Sequence, residues 1–583
     1  MSQQQSTQLP SNAASSLHAA LNADPSTFKL HQKDVSTIDM DKLLALPCKD
    51  PASRANMIEA FKFLKDRALY ENNLPKRTAD GCTATTVRDD FIERLIETGN
   101  ITEIPRRDVK GWVNFFTIVE FFKQRFRPIR ETVDINATWT KDTLMKLTFP
   151  SKKDICNMVL GGTHHASFDM AAYYDQFAYE NGISEFLCFR KNGKFYKTNR
   201  LAMGQRHSCQ IGQMTTLFLM DFPGRRCKIA YAYIDNVIFV GSYEDVLHDS
   251  REFIRRCKMA RVTLNDADKF EADGVESVIA ESGEWCGVHL DFKNKQVKLI
   301  DKTLTKLQLS WMNRHQFTYR QFASHIGLCF WTWGILEIPI YSFYSLLKFI
   351  SATSKKLQED DSLWDTPCEI YPSAMPALEK WTEICLANAP RTVKPSTDPV
   401  WFVCTDASSW GWGYCAFHYA TGEIRTFGAK WTAAQLRELF ASQGASKIKH
   451  SVYAEPLAIY NSLCHLLNKN SPAQVKFAKA CDDISAPAMD VRMKIGVATD
   501  NSSAQHTMAR GFASRSYDIN LAIARLREAF PESEFDFDFS FVPGALNPAD
   551  APSRGKKLNE NAEIGHNEYL RRIAGNLLAQ QVK

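Results

Sequence analysis

Ile229 to Ser242 reads IAYAYIDNVIFVGS: two apolar halves that meet at an acid, Asp235, with Asn236 beside it. The pattern predicts a tight hairpin carrying its carboxylate at the turn. Upstream, ASFDMAAYYDQF (Ala166 to Phe177) places Asp169 at the end of a short apolar run. Two carboxylates on neighbouring strand ends are suited to holding a pair of divalent cations that align a nucleophilic hydroxyl against a phosphate. Two unrelated surface acids would give the same local pattern, so the intervening residues matter. There, RLAMGQRHSCQIGQ (Arg200 to Gln213) is helix-forming except at Gly204, which permits close backbone approach to a ligand. Further upstream, KQRFRPIRE (Lys123 to Glu131) alternates Arg125 and Arg127 on one face of an expected strand. Paired guanidinium groups bind phosphate bidentately, although a solvated basic edge strand would look alike.

A second acidic series lies near the C-terminus. VWFVCTDAS (Val400 to Ser408) is an apolar run ending at Asp406, and strand-like WGWGYCAFHY and GEIRTFGAKW follow. VYAEPLAIYNSLCHLL has apolar residues at helical spacing and carries Glu455 in its expected first turn. MKIGVATD runs into Asp500, and FDFDFSFV alternates with period two before PGALNPAD leads to Asp550. Acids at strand ends commonly cap helices or face water. Four in this order, three at or past strand ends and one on a helix, are instead expected to converge at one sheet edge. Such oxygen ligands suit hard divalent ions that activate water for phosphodiester cleavage.

The remaining sequence bounds the class. At 583 residues the chain suggests about three or four globular units. Hydrophobic residues make up 44% and charged residues 23%, which fits a folded protein and excludes a disordered one. The net charge of +5 permits a polyanionic partner without arguing for one. Fifteen cysteines occur without a Cys-x-x-Cys pair, against both a disulfide framework and a zinc ribbon. The first 50 residues are polar and read as a loose arm, with no secretory or transit signal, so cytoplasm or nucleus is expected. Ile326 to Leu347 is long enough to span a bilayer but contains Glu337 and Pro339. A buried helical pair broken at the proline is expected, and no membrane partner.

The segments around Asp169, Gly204 and Asp235, in this order and spacing, resemble motifs A, B and C of reverse transcriptases, and the four C-terminal acids within TDAS, AE, TDN and NPADAPSR resemble the ribonuclease H domain of retroelement polyproteins. MGQRHS and FTYRQFASHIGLCFW are most similar to the tyrosine-recombinase retrotransposons of the DIRS type, including the VIPER elements. The resemblance implies an α+β multidomain chain. It would comprise a flexible arm (1–50), right-hand polymerase fingers and palm (51–302), a helical thumb or connector (303–395), an α/β ribonuclease H-like domain with a mixed sheet (396–560) and a tail (561–583). It implies RNA-directed DNA polymerase and ribonuclease H activities, acting on an RNA template, a DNA primer, deoxynucleoside triphosphates and the RNA–DNA hybrid. Asp169, Asp235 and Asn236, and separately Asp406, Glu455, Asp500 and Asp550, would hold two Mg²⁺ ions per site. Arg125 and Arg127 would contact the triphosphate, Tyr174 would be the steric gate against a ribose 2′-hydroxyl, and Gly204 and Gln205 would contact template and nucleotide. WCGVHLD (Trp285 to Asp291) resembles the primer-grip hairpin.

Two positions depart from the family: Ala202 replaces a proline, and Asn236 replaces the second aspartate of motif C. Asn keeps a coordinating oxygen but loses a charge, which weakens metal binding or shifts it towards Mn²⁺. The alternative is therefore a domesticated, non-polymerising scaffold that binds nucleic acid and retains the fold.

Overall fold

The computed structural model describes residues 23–73, 83–84, 86–312, 314–443, 451–467 and 491–556. The chain forms two compact units, Met1–Cys286 with Asp291–Lys293, and Gly287–Leu290 with Asn294–Lys583. Both mix helices and strands, so the protein is an α+β multidomain chain. The tail expected at 561–583 lies outside the described residues.

In the first unit, helix α1 (Pro51–Lys65) precedes a hairpin of β1 (Asn114–Glu120) and β2 (Arg125–Glu131). A second sheet combines β3 (His164–Asp169), β4 (Ile229–Tyr233) and β5 (Asn236–Gly241) in the order β3-β5-β4, all antiparallel. Between β3 and β4 lies α2 (Ser208–Met220), buried on nearly every side as expected for an apolar helix inside a core. Helix α3 (Tyr243–Met259) packs against β3 and β5. It starts at Ser242, whose hydroxyl accepts from the Asp245 amide, carries acids in its first turn and ends with Arg256 and Lys258, matching the helix dipole at both ends. Arg256 is fully buried and donates to the carbonyls of Leu219 and Phe218, both at 2.9 Å, and of Pro47 at 2.6 Å.

Part of the expected loose arm is packed. Ile38, Met40, Leu43 and Leu46 enter the core of the first unit: a short helix (Met40–Ala45) capped by Asp39 buries Met40 and Leu43, and Ile38 and Leu46 flank it. Average composition concealed this local apolar cluster.

In the second unit, α4 (Asp301–Met312), α5 (Tyr319–Leu336), α6 (Tyr344–Glu359) and α7 (Met375–Ala387) enclose an aromatic core around Trp381. A capping box between Thr318 and Gln321 starts α5. The helix stops at Glu337, in the left-handed region at φ 53°, two residues before Pro339, as the sequence predicts. Among the described residues no helix is long and apolar enough to cross a membrane.

The same unit carries β6 (Ser396–Ala407), β7 (Gly411–His418), β8 (Ile424–Lys430), α8 (Ser451–Leu466), β9 (Arg492–Thr499), α9 (Ser502–Arg510), α10 (Tyr517–Ala529), β10 (Phe535–Phe541) and the short α11 (Asp550–Ser553). The sheet order is β8-β7-β6-β9-β10. β6 runs antiparallel to β7 and parallel to β9, which is parallel to β10, so the sheet is mixed. α8 packs on β6 and β7, and α10 on α8.

Candidate metal centres

The second unit brings three acids together. Thr405 pairs with Thr499 across the parallel strands β6 and β9, so the residues after them, Asp406 and Asp500, sit at the same sheet end. α8 crosses this end and delivers Glu455. One ligand oxygen from each of Asp406, Glu455 and Asp500 lies within 4.8 Å of the others. Asp406 is 4% exposed and Glu455 1%. The Ser553 hydroxyl donates to Asp406 Oδ2. Glu455 accepts from the Ala407 amide at 3.2 Å and the Thr499 hydroxyl at 3.1 Å. Burial, more than the Asp500 and Asp550 charges, pushes the Asp406 carboxyl up to about 6. Burial and then the charges of Asp406 and Asp500 drive Glu455 well above its ordinary range. Burial also raises Asp500, against a hydrogen bond from Asn547. Crowded anionic oxygens of this kind fit a hard divalent cation, whose charge offsets their mutual repulsion.

Asp550 stands apart from these three. It opens α11 rather than following a strand end directly, is 46% exposed, and accepts from Arg554 Nε at 3.0 Å and Nη2 at 2.7 Å. Its charge still raises Asp406 and Asp500, so it borders the cluster. α11 reaches this place because Gly413 and Gly428 leave room: a Cβ on Gly428 would lie 2.0 Å from the Pro552 carbonyl oxygen, and one on Gly413 2.5 Å from the Ser553 nitrogen. Ser553, Arg554, Asn547 and Thr499 join the acids of this centre. The first three lie within the quoted NPADAPSR stretch, but nothing in their spacing shows which acid each one touches.

The first unit holds the second acid pair. Asp169 pairs with Asn236 across β3 and β5, and Asp235 sits in the two-residue turn between Tyr233 and Asn236. The other turn residue, Ile234, has φ 58°, a conformation that costs a β-branched residue about 1–3 kcal/mol. α2 holds it there: the Ile234 amide donates to Gln213 Oε1 at 2.8 Å, and the Thr216 hydroxyl donates to the Ile234 carbonyl. Burial raises both carboxyls, and the Asp235 charge raises Asp169 further. Asn236 Nδ2 donates to Asp235 Oδ1 at 3.1 Å. Asp169 Oδ2 accepts from the side chain of Asn265, a residue the sequence did not single out.

The remaining sequence-predicted residues fall out as follows. Tyr174 is half-buried, and its hydroxyl donates to Cys209 Sγ at 3.6 Å. Arg125 and Arg127 share one face, because both bond Glu120, Arg127 Nη2 at 3.1 Å. Arg127 also lowers the Asp235 carboxyl. Gly204 has ordinary space, with a Cβ 3.5 Å from the Arg130 carbonyl, and its own carbonyl accepts from Asn136 at 2.8 Å. Gln205 lies inside the core. It is 2% exposed, its amide nitrogen donates to the Tyr70 hydroxyl at 2.7 Å, and its oxygen accepts from Tyr179. These two bonds, one from each end of the amide, tie the turn to Tyr70 and Tyr179.

No family model matches the chain, and no curated protein matches it. Among solved structures it is similar to a foamy viral protease–reverse transcriptase in complex with double-stranded DNA, at 11% identity and TM-score 0.42, over 89% of this chain and 85% of that one. It is also similar to the foamy viral protease–reverse transcriptase in complex with an RNA/DNA hybrid, at 12% identity and TM-score 0.40, over 92% of this chain and 67% of that one.

Proposed function

We propose that the protein is an RNA-directed DNA polymerase with ribonuclease H activity, of the tyrosine-recombinase retrotransposon kind. Residues 51–302 would act as fingers and palm, 303–395 as connector, and 396–560 as nuclease. The observation that carries the reading is the cluster formed by Asp406 and Asp500, at the ends of adjacent parallel strands, with Glu455 from α8. Divalent cations, when bound, would supply the Lewis acid that polarises water and the leaving oxygen of an RNA phosphodiester. The protein's part is to hold the acids ionised and oriented, through the hydrogen bonds from Ser553, Ala407 and Thr499. In the first unit, Asp169 and Asp235 beside one hairpin turn support a polymerase site, with Arg125 and Arg127, here paired with Glu120, as the cations for a deoxynucleoside triphosphate and Tyr174 for its sugar. An enzyme that makes hybrids and a nuclease that consumes them form a coherent pair. Binding of template, primer and hybrid through phosphates should weaken with salt.

The test is one reaction on a DNA primer annealed to an RNA template, each strand differently labelled, run in Mg²⁺ and in Mn²⁺. Primer extension together with RNA cleavage that Asp500→Asn abolishes is the expected result. Absence of both in either metal refutes the proposal. One observation favours a non-polymerising scaffold: the Asn236 amide donates to Asp235, where a second carboxylate would add charge. Cleavage without extension, unchanged by Asn236→Asp, would establish that second reading.

A further inference from the structure

A strap of residues 28–39 binds two parts of the first unit. Lys29–Leu30 pairs in parallel with β2, and the His31 amide donates to the Phe126 carbonyl at 2.6 Å. Farther along, the Ser36 amide donates to Thr263 Oγ1 at 3.2 Å, and the Ile38 amide to the Gln176 carbonyl at 2.9 Å. Phe28 and Ile38, at the two ends, are each 3% exposed. The backbone between these anchors is thus tied to the fingers-like hairpin on one side and to the β3 region on the other. Lys33 lies between them, and its ammonium donates to Asn265 Oδ1.

Asn265 is in turn held to Asp169 twice. Its backbone amide donates to the Asp169 carbonyl at 2.7 Å, and its side-chain Nδ2 donates to Asp169 Oδ2. The chemistry permits only one direction for this chain. An ammonium has donors and no acceptor, and an ionised carboxylate has acceptors and no donor. The Asn265 amide must therefore turn its oxygen to Lys33 and its nitrogen to Asp169. Lys33 selects the rotamer that steadies one carboxylate oxygen and leaves Asp169 Oδ1 for a cation.

We infer that Lys33, brought from the N-terminal strap, is a positioning residue for the metal-binding carboxylate Asp169, acting through Asn265. The inference rests on the polymerase reading of the first unit. Outer-shell partners of metal ligands are worth about 10–100-fold in metal affinity. A lysine that acted by charge alone would have the opposite sign, because its removal would tighten cation binding.

The experiment measures Mn²⁺ binding by electron paramagnetic resonance on the full chain carrying Asp406→Asn and Asp500→Asn, so that the second unit's cluster is silent. On that background Lys33→Met should weaken Mn²⁺ binding about tenfold. Asn265→Ala should weaken it equally, and the double variant no further. Lys33→Arg, which keeps a donor, should restore most of the affinity. Thermal midpoints identify any variant that fails to fold, and the Lys33→Arg comparison then decides. Unchanged or tighter binding in Lys33→Met, or fully additive losses in the double variant, overturns the inference. Asp169→Asn separates the two readings. If it abolishes binding while Lys33→Met has no effect, only the role of Lys33 falls; if it leaves binding intact, the palm assignment falls and the inference with it.

Discussion

Replacing Asp406 by Asn should stabilise the second unit while destroying its proposed chemistry. Burial lifts the Asp406 carboxyl from its ordinary 3.8 to about 6. A difference of about two pKa units corresponds to about 3 kcal/mol between the ionised and neutral side chain. The bond from Ser553 is already contained in that shift, but the amide of the variant brings an NH2 that must find acceptors in a buried site, which leaves about 1–2 kcal/mol. The sign follows from linkage. A carboxyl whose folded pKa is raised favours folding below its unfolded pKa, and that contribution disappears as pH rises through the folded value. Wild type should thus lose stability from this group between about pH 4 and pH 6, whereas Asp406→Asn should not. For a unit of this size the gain amounts to roughly 3–6 °C in thermal midpoint. Calorimetric melting of the full chain at pH 7.5 and pH 4.5, with and without Mg²⁺, is the assay. The variant should melt higher at pH 7.5 without Mg²⁺, keep little of that advantage at pH 4.5, and lose most of the wild-type response to Mg²⁺. A lower midpoint at pH 7.5, or an undiminished Mg²⁺ shift, would refute the view that a costly buried charge is held at this edge for a cation.

Other consequences follow from particular contacts. Arg256→Met removes the buried donor to the carbonyls of Leu219, Phe218 and Pro47 and should cost the first unit about 3 kcal/mol, read as a fall in its melting midpoint. Gly428→Val drives a side chain into Pro552 and should displace α11, abolishing RNA cleavage while circular dichroism shows the sheet intact; normal cleavage would show that α11 has no part in the site. Tyr174→Ala should let primer extension incorporate ribonucleotides about tenfold or more efficiently relative to deoxynucleotides, and unchanged sugar selection in single-nucleotide kinetics would remove Tyr174 from the sugar pocket.

Much of this molecule is local and therefore readable in the chain. Apolar runs place β4, β5, β6 and β9, and Asp235, Asp406 and Asp500 mark where β4, β6 and β9 end. Pro339 ends the long apolar stretch as a helix break, because the residue before a proline avoids the helical region. Strand alternation also puts Arg125 and Arg127 on one face. Other features depend on which distant segments meet. Asp406 and Asp500 become neighbours only because β6 and β9 are adjacent and parallel in matched register, and Glu455 joins them because α8 crosses that end. Asp550, alike in spacing, is held by Arg554 at the border of the cluster. Gln205 is buried and bonded to Tyr70 and Tyr179, which come from segments far away in the chain. Lys33 reaches Asn265 across 232 residues of chain. Residue order determined the strands, the helices and the acids they carry; long-range packing decided which of those acids share an environment, because electrostatic coupling and hydrogen bonding act over a few ångströms of space, whatever the distance along the chain.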